Sequence, residues 1–490
     1  MKILFIYPDI RGSLRIHQCG YFYTGIASLS AVLKNNNYSV SLLHYLHEPF
    51  KNKFISDIIK ENPDLVAYSA TTNMFTFVKK WSYWIRRYFP AKIQICGGVH
   101  PTLNTNSSLE ESDLDAVCIG EGEEPLLELC KHLERGASIL ENNIKNIVYK
   151  DHSRTIKHNA LNPVMSSSEL NQLPYPDREL FDDNKICDMN RPIVFVSRGC
   201  PYNCTYCCNE VLRKKTGNGK AVRTRSVSNV IGEMKYIIHL YPHTNGFHFD
   251  DDIFGINRNW LQKFVVAYKK EISLPFSCNT RANLINNDII RLLVHAGCDE
   301  VAMGVETGNR KLRNKVLARD MSNTQITSAF RQFEEAGITT HSYNMTGLPH
   351  ETICNSLETI KLNSILKKKK WTMKELRITI FYPYKGTRLY HEAEKHNMLT
   401  EKDVVNYSDD TIIKSKTMSG HQIRFIAKYF RILVLIYQII LINSNNFQKV
   451  ILRMFDKFIT SKMVGKILFP FFNAIYPLLV KIFRLLSSKG

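Results

Sequence analysis

The stretch Ser197-Arg198-Gly199-Cys200-Pro201-Tyr202-Asn203-Cys204-Thr205-Tyr206-Cys207-Cys208 decides how this chain is read. Three thiols, Cys200, Cys204 and Cys207, are spaced C-x3-C-x2-C. The run before them, Pro192-Ile193-Val194-Phe195-Val196, is short, apolar and β-branched, which predicts a buried strand. Gly199 and Pro201 stop that strand and turn the chain. The thiols are therefore expected on the loop leaving the carboxyl end of a strand, where α/β folds place their chemistry. Three thiolates in one short loop suit a cubane iron–sulfur cluster and leave one of its four irons open to a ligand. Structural zinc asks instead for four ligands in two separated pairs.

Upstream, short apolar strands alternate with helix-length segments. Ile3–Tyr7, Ser39–Leu43, Asp64–Ser69, Lys92–Cys96 and Ala116–Ile119 read as strands, with helical patterns over Gly25–Lys34 and Phe54–Glu61. Five such units predict a doubly wound parallel sheet over residues 1–150, with ligands at the carboxyl ends of its strands. Glycines stand at those ends, at Gly97-Gly98 and at Gly120 and Gly122. There, backbone can approach a flat ligand closely, or simply turn from strand to helix. No G-x-G-x-x-G is present, which disfavours a nicotinamide cofactor. Residues 151–190 are rich in Ser, Asn, Asp and Pro and read as a linker.

Downstream, Val227–Leu240 is helical, with Ser226 and Ser228 as candidate N-caps. Further strands are expected at Gly246–Phe249, Phe276–Arg281, Val301–Glu306, Thr340–Met345 and Leu376–Phe381. With the strand before the cysteines they make six, a partial TIM-like barrel over residues 191–410. Chemistry-bearing residues end several of these strands: Asp250-Asp251-Asp252, Arg281, Glu306 and Gly347. Three adjacent carboxylates repel one another, so a partner or solvent is needed there. Arg281 is placed to pair with a carboxylate.

Arg198 to Cys207 resembles the signature loop of the radical S-adenosylmethionine (SAM) superfamily. Asp251-Asp252-Ile253-Phe254, Gly304-Val305-Glu306-Thr307-Gly308, Gly347-Leu348-Pro349-His350-Glu351-Thr352 and Pro383-Tyr384-Lys385-Gly386-Thr387 resemble that family's later motifs, in order. His350 replaces a glycine, and Thr307 a serine. The N-terminal half resembles the cobalamin-binding domain that one class of these enzymes carries. The matching pieces are Thr24–Leu29, Gly97–Thr102, Gly120–Glu123 and the linker Leu173-Pro174-Tyr175-Pro176-Asp177-Arg178. The resemblance implies a Rossmann-like sheet, a partial (β/α)6 barrel and a C-terminal helical segment. It implies a 4Fe-4S cluster on Cys200, Cys204 and Cys207, with SAM near Tyr206, Asp251, Asp252, Arg281, Glu306 and Gly347. It places the nucleotide tail of cobalamin at Ser69, Gly97 and Gly98.

The reaction so implied is methylation of an unactivated carbon, the deoxyadenosyl radical activating the carbon and methylcobalamin supplying the methyl group. Alternatives are a radical oxidation or cyclisation without methyl transfer, and a non-catalytic cobalamin or cluster-binding sensor. An electron donor such as flavodoxin or ferredoxin is implied as partner. One departure concerns the cobalt: the loop Pro8-Asp9-Ile10-Arg11-Gly12 lacks the His of the D-x-H-x-x-G motif. His17 and His100 are nearby candidates and read as loop or packing residues.

The chain carries a net charge of +20 and twelve cysteines over 490 residues, enough for two or three domains. An apolar strand follows Met1-Lys2 with no secretory pattern, and the cysteines suit a reducing compartment, so a cytoplasmic protein is expected. Residues 411–490 hold thirteen Lys and Arg against one acid, Asp456. The charge-free apolar runs Ile432–Ile442 and Ile467–Val480 fall short of the roughly 20 residues that span a bilayer. Arg424, Lys428 and Arg431 share a helical face, as do Lys449, Arg453 and Lys457. The segment 421–490 is thus expected at the inner membrane surface, or alternatively as a helical cap on the barrel. It is too apolar to favour nucleic acid. A membrane-facing tail leans the small-molecule substrate towards a lipid-like, isoprenoid or tetrapyrrole compound.

Overall fold

The computed structural model describes residues 1–10, 19–187, 189–217, 221–369, 371–372, 375–400, 411–442 and 446–460. Two sheets organise the chain. The first runs in the order β2-β1-β3-β4-β5-β6-β7. Its strands are β1 (Lys2–Pro8), β2 (Ser39–Tyr45), β3 (Leu65–Ser69), β4 (Ile93–Gly97), β5 (Ala116–Cys118), β6 (Ile147–Lys150) and β7 (Ile156–His158). The first five are parallel, and β6 and β7 add antiparallel. Parallel strands are covered by helices on both faces, which is why they read as continuous apolar runs. Ile3, Phe5 and Tyr7 pack on one face with Ile26 and Leu129, while Leu4 and Ile6 pack on the other with Phe54, Val78 and Trp81. The sheet continues past residue 150 because Ile147–His158 forms a hairpin on its edge. Strand order reverses at β1, between β2 and β3, and ligands of such sheets sit beside that switch point.

The second sheet, in the order β15-β14-β13-β12-β11-β8, is parallel throughout. It comprises β8 (Ile193–Val194), β11 (Phe247–Phe249), β12 (Phe276–Thr280), β13 (Cys298–Glu306), β14 (Thr339–Thr346) and β15 (Leu376–Ile380). A short antiparallel pair, β9 (Ser197–Arg198) and β10 (Arg223–Thr224), flanks the cysteine loop. The outward faces of the barrel strands join one apolar core with the surrounding helices. The helix Val227–Leu240 is capped by Ser226, whose hydroxyl accepts from the Asn229 amide.

The C-terminal region corrects the membrane expectation as far as it is described. In the helix Gly420–Ile442, Ile423, Phe425, Ile426, Tyr429, Phe430, Leu433, Val434 and Tyr437 are buried in the barrel core. Buried positions on nearly every side mark an interior helix, not an amphipathic one lying on a surface. The run Ile432–Ile442 is therefore largely core. Gln438 fixes the helix: its Oε1 accepts from the Trp371 amide and its Nε2 donates to the Lys369 carbonyl. The following helix, Asn446–Thr460, docks through Asp456, which accepts from Lys361 Nζ and the Tyr437 hydroxyl. The run Ile467–Val480, the Lys449 side chain and everything beyond 460 lie outside the described residues, as do Arg11, Gly12 and His17. Among the described residues no helix is long and apolar enough to cross a membrane.

Ending the chain at Ser419 is accordingly expected to give aggregated protein, because it strips a wall from the barrel core. Size-exclusion chromatography checks this, and a monodisperse truncated protein would contradict it.

One cysteine pair departs from the expectation of free thiols. Cys19 and Cys187 are joined as a disulfide between the N-terminal domain and the linker, with Cα atoms 5.2 Å apart. The ten other cysteines are free.

Candidate active site

The cysteine loop leaves β9 through Gly199, whose φ of +98° is a left-handed conformation that glycine adopts without steric cost. Cys200, Cys204 and Cys207 share one loop and sense one another's charge. Burial pushes the Cys200 thiol up to about 11, a penalty that a bound cation would reverse. The loop is fastened from three directions. Thr205 donates its amide to Leu317 O (3.1 Å) and its hydroxyl to Val316 O (2.6 Å), and its own carbonyl accepts from the Leu389 amide (3.0 Å). Arg213 Nη2 donates to the Tyr202 carbonyl. On the other side, Arg198 donates to Glu121 Oε1 (3.0 Å) and Glu123 Oε1 (2.6 Å) of the N-terminal domain. Ser28 donates to Glu123, and Arg223 to Glu121. The Arg198 guanidinium holds the buried Glu123 carboxyl below its usual range despite the opposing effect of burial.

Beside the loop, the expected SAM residues divide into two groups. Tyr206 and Glu306 come together, the Tyr206 hydroxyl donating to Glu306 Oε1 at 3.0 Å. Arg319 completes the group, donating to the Tyr206 hydroxyl (3.2 Å) and to the Gly304 carbonyl (2.8 Å). Glu306 has a φ of +64°, strained for a residue with a side chain and characteristic of functional positions. Gly347 follows β14 with a φ of +82° and donates its amide to Glu351 Oε2 at 2.6 Å. Asp252 is exposed and accepts from Asn209 Nδ2, next to the cysteines.

Asp251 and Arg281 are placed otherwise than expected. Asp251 is 1% exposed, and its oxygens accept from the Val196 amide and from the amide and hydroxyl of Ser197. Its carboxylate is used on the strand that carries the cysteine loop, which leaves Asp252 as the carboxylate facing the site. Arg281 meets no carboxylate among the described residues. Its Nη1 lies 3.6 Å from Cys204 Sγ, its Nε donates to Asn283 Oδ1, and its guanidinium covers the Tyr202 ring.

A cavity of about 370 Å³ opens between the two domains. Its floor is apolar, with Phe5, Ala67, Ile95 and Leu126, and its rim carries Tyr23, Ser69, Gly97, Gly98 and Gly122. The opposite wall is Phe195, Ser197 and Arg198, the strand leading to the cysteines. Ser69 Oγ donates to the Tyr23 hydroxyl at 3.4 Å. A Cβ on Gly98 would stand 2.8 Å from the Ala70 amide nitrogen, so only glycine lets the two loops meet here. A narrow apolar slot with two hydroxyls at one side fits a flat heteroaromatic ring.

The Radical SAM superfamily model matches residues 194–362, and the B12 binding domain model matches residues 22–130. The chain joins a B12 binding domain to a radical SAM domain. An uncharacterized methyltransferase of Pyrococcus horikoshii is 26% identical over 452 residues, 90% of this chain and 95% of its own. The anaerobic magnesium-protoporphyrin IX monomethyl ester cyclase of Rubrivivax gelatinosus is 22% identical, over 88% of this chain and 78% of that protein. Among solved structures, the cobalamin-dependent radical enzyme OxsB with aqua-cobalamin and SAM shares the fold with a TM-score of 0.67 at 15% identity, covering 96% of this chain and 75% of its own. The radical SAM methyltransferase TsrM of Kitasatospora setae follows with 0.63, again at 15% identity, covering 81% and 75%.

The cofactors of this radical SAM enzyme are a 4Fe-4S cluster, SAM and cobalamin. The donor set fits them: three thiols in one loop for the cluster, and an interdomain slot for a planar ring. Among the described residues no His lines the slot. Asp9 of the first loop is occupied by the Tyr21 amide and by His44, and His100 packs on Phe75 with its Nδ1 against Thr72 Oγ1. Burial lowers the His100 imidazole to about 4, so it is neutral at physiological pH.

Sequence reasoning missed Arg319 and the tie from Arg198 to Glu121 and Glu123. The loop Leu317-Ala318-Arg319-Asp320 carries no motif. The second could have been found, since a cation stands directly before the glycine of one motif and two acids stand within another.

Glu351, at the Gly347 loop, is fully buried, and burial raises its carboxyl to about 7 although Gly347, Leu348 and Ser356 all donate to it. A folded value above the unfolded 4.5 means that stability is greatest at low pH and is lost as pH rises towards about 7. Glu351→Gln keeps the two amide bonds and can donate to Ser356 in return. Wild-type stability should therefore fall relative to the variant by about 1 kcal/mol between pH 6 and pH 8. Urea unfolding at the two pH values measures this, and parallel profiles would contradict it.

Proposed function

We propose that this enzyme transfers a methyl group to an unactivated carbon of a polar small molecule. The carrying observation is the shared lining of the interdomain slot: Ser69, Gly97 and Gly98 line it together with Phe195, Ser197 and Arg198, from the segment that delivers the cysteines. A planar group held in that slot would border the segment that leads to the cysteines. When bound, the cluster supplies the electron that splits SAM and cobalamin carries the methyl group. Cys200, Cys204 and Cys207 hold the cluster. Glu306, oriented by Tyr206 and Arg319, offers acceptor oxygens to a ribose diol, and Asp252 and Gly347 border the SAM site. Arg198, clamped by Glu121 and Glu123, fixes the two domains at the separation this reaction needs. The electron donor is a flavodoxin or ferredoxin.

The methyltransferase of Pyrococcus horikoshii supports this reading. The cyclase of Rubrivivax gelatinosus supports a second one, radical oxidation or cyclisation without methyl transfer. A sensor has no use for the strained Glu306 and its two partners.

The barrel lumen favours a polar substrate over the lipid-like, isoprenoid or tetrapyrrole class. Its cavity of about 700 Å³ presents His248, Ser277, Glu300, His341, Tyr343 and Arg377. His341 lies 3.1 Å from Glu300, and His248 lies 2.8 Å from Ser277 Oγ. The ground for a lipid was the tail, whose first helix is barrel wall. Incubating reduced holoenzyme with cell extract and methyl-labelled SAM tests the proposal. Label in a water-soluble, low-mass product is expected, whereas SAM cleavage with no methylated product would favour the second reading.

A further inference from the structure

Arg281 is 4% exposed, and among the described residues no carboxylate faces it. The other buried arginines are satisfied differently. Arg178 pairs with Glu233 and Arg319 with Glu306, while Arg213 donates to the Tyr202 carbonyl and to Asn203 Oδ1. Arg313 donates to the carbonyls of Met321 and Thr307 and to Asn323 Oδ1. Among the described residues, Arg281 meets Asn283 Oδ1, the Tyr202 ring and Cys204 Sγ at 3.6 Å. Both Tyr202 and Cys204 belong to the cysteine loop, so the guanidinium is wedged against the loop itself. A buried cation without an anion is strongly unfavourable, and a neutral thiol relieves it little. A thiolate on a cluster relieves it fully, because the cluster and its three thiolates carry net negative charge.

We infer that Arg281 is a positioning residue for the cluster: it donates to Cys204 Sγ and favours the reduced, more negative cluster over the oxidised one. This rests on Cys200, Cys204 and Cys207 being the cluster ligands. Hydrogen bonds to the sulfurs and nearby charge are two of the levers a protein has on cluster potential. Reduction adds one electron from a low-potential donor, dithionite in the assay. No proton moves and no bond of Arg281 is made or broken. The same contact couples iron binding to stability, because the cation is uncompensated until the negatively charged cluster is bound.

The test compares wild type with Arg281→Met and Arg281→Lys, each with and without reconstituted cluster. Potentiometry followed by electron paramagnetic resonance, without SAM, should show the Met variant at least tenfold harder to reduce, about 59 mV lower for one electron, with the Lys variant between. Melting temperatures should move in opposite senses: Arg281→Met at or above wild type without cluster, and below it with cluster. A purely structural arginine would lower both melts and leave the potential alone, which would overturn the inference. If the Met variant takes up no iron, its cluster-free melt and the potential of the Lys variant decide. Wild-type protein that binds no iron would remove the cluster assignment and this inference together. Full iron with an unchanged potential would remove this inference alone.

Discussion

Replacing Cys200, Cys204 or Cys207 by alanine is expected to abolish iron binding outright. Anaerobically reconstituted wild type should hold about four irons per chain, and each of the three variants close to none, because a cubane left with two thiolate ligands and two open irons is unstable. Cys208→Ala should keep its iron. Cys208 opens the helix Cys208–Thr216 and stands outside the C-x3-C-x2-C spacing, although its thiol touches that of Cys207. The fold should survive all four changes, since the loop is also held by Thr205, Arg198 and Arg213. Iron analysis with the visible absorption spectrum reads the result. Loss of iron on mutating Cys208, equal to that on mutating Cys207, would contradict the ligand set.

The second large effect concerns the interdomain slot. Ala67 lies on its floor in β3, almost fully buried, with Phe5 and Ile95 on the neighbouring strands. Ala67→Phe should fill the slot and lower retention of hydroxocobalamin at least tenfold, while iron content stays at the wild-type level. Overpacking of this kind costs about 1–3 kcal/mol of stability, which a domain of this size tolerates. Wild-type protein should retain cobalamin with a spectrum showing no histidine ligand, since the loop Pro8–Gly12 offers no His and His100 is engaged by Thr72. Equal retention by the variant would place the cofactor elsewhere.

Much of this was legible in the sequence, for reasons that differ by element. The parallel strands were, because helices cover both of their faces and each becomes an unbroken apolar run. The hairpin Ile147–His158 was not, because β7 is an exposed edge of Ile, Lys and His with no alternation to read. The cysteine triad was legible from spacing alone. The neighbouring acids were not separable, because Asp251 and Asp252 are chemically identical and only the turn of the chain sends one inward to Ser197 and the other outward to Asn209. The tail misled because a basic, apolar helix has the same composition whether its apolar faces meet lipid or a barrel. Arg281 was found, but its partner was not, since a sulfur 77 residues away leaves no trace in local sequence.

The most direct measurement is the fate of SAM given to the cluster-loaded protein with dithionite under anaerobic conditions. Chromatography with mass detection should show 5'-deoxyadenosine accumulating in wild type, and none in Cys204→Ala. Intact SAM after prolonged incubation with fully loaded, reduced wild-type protein would contradict the account.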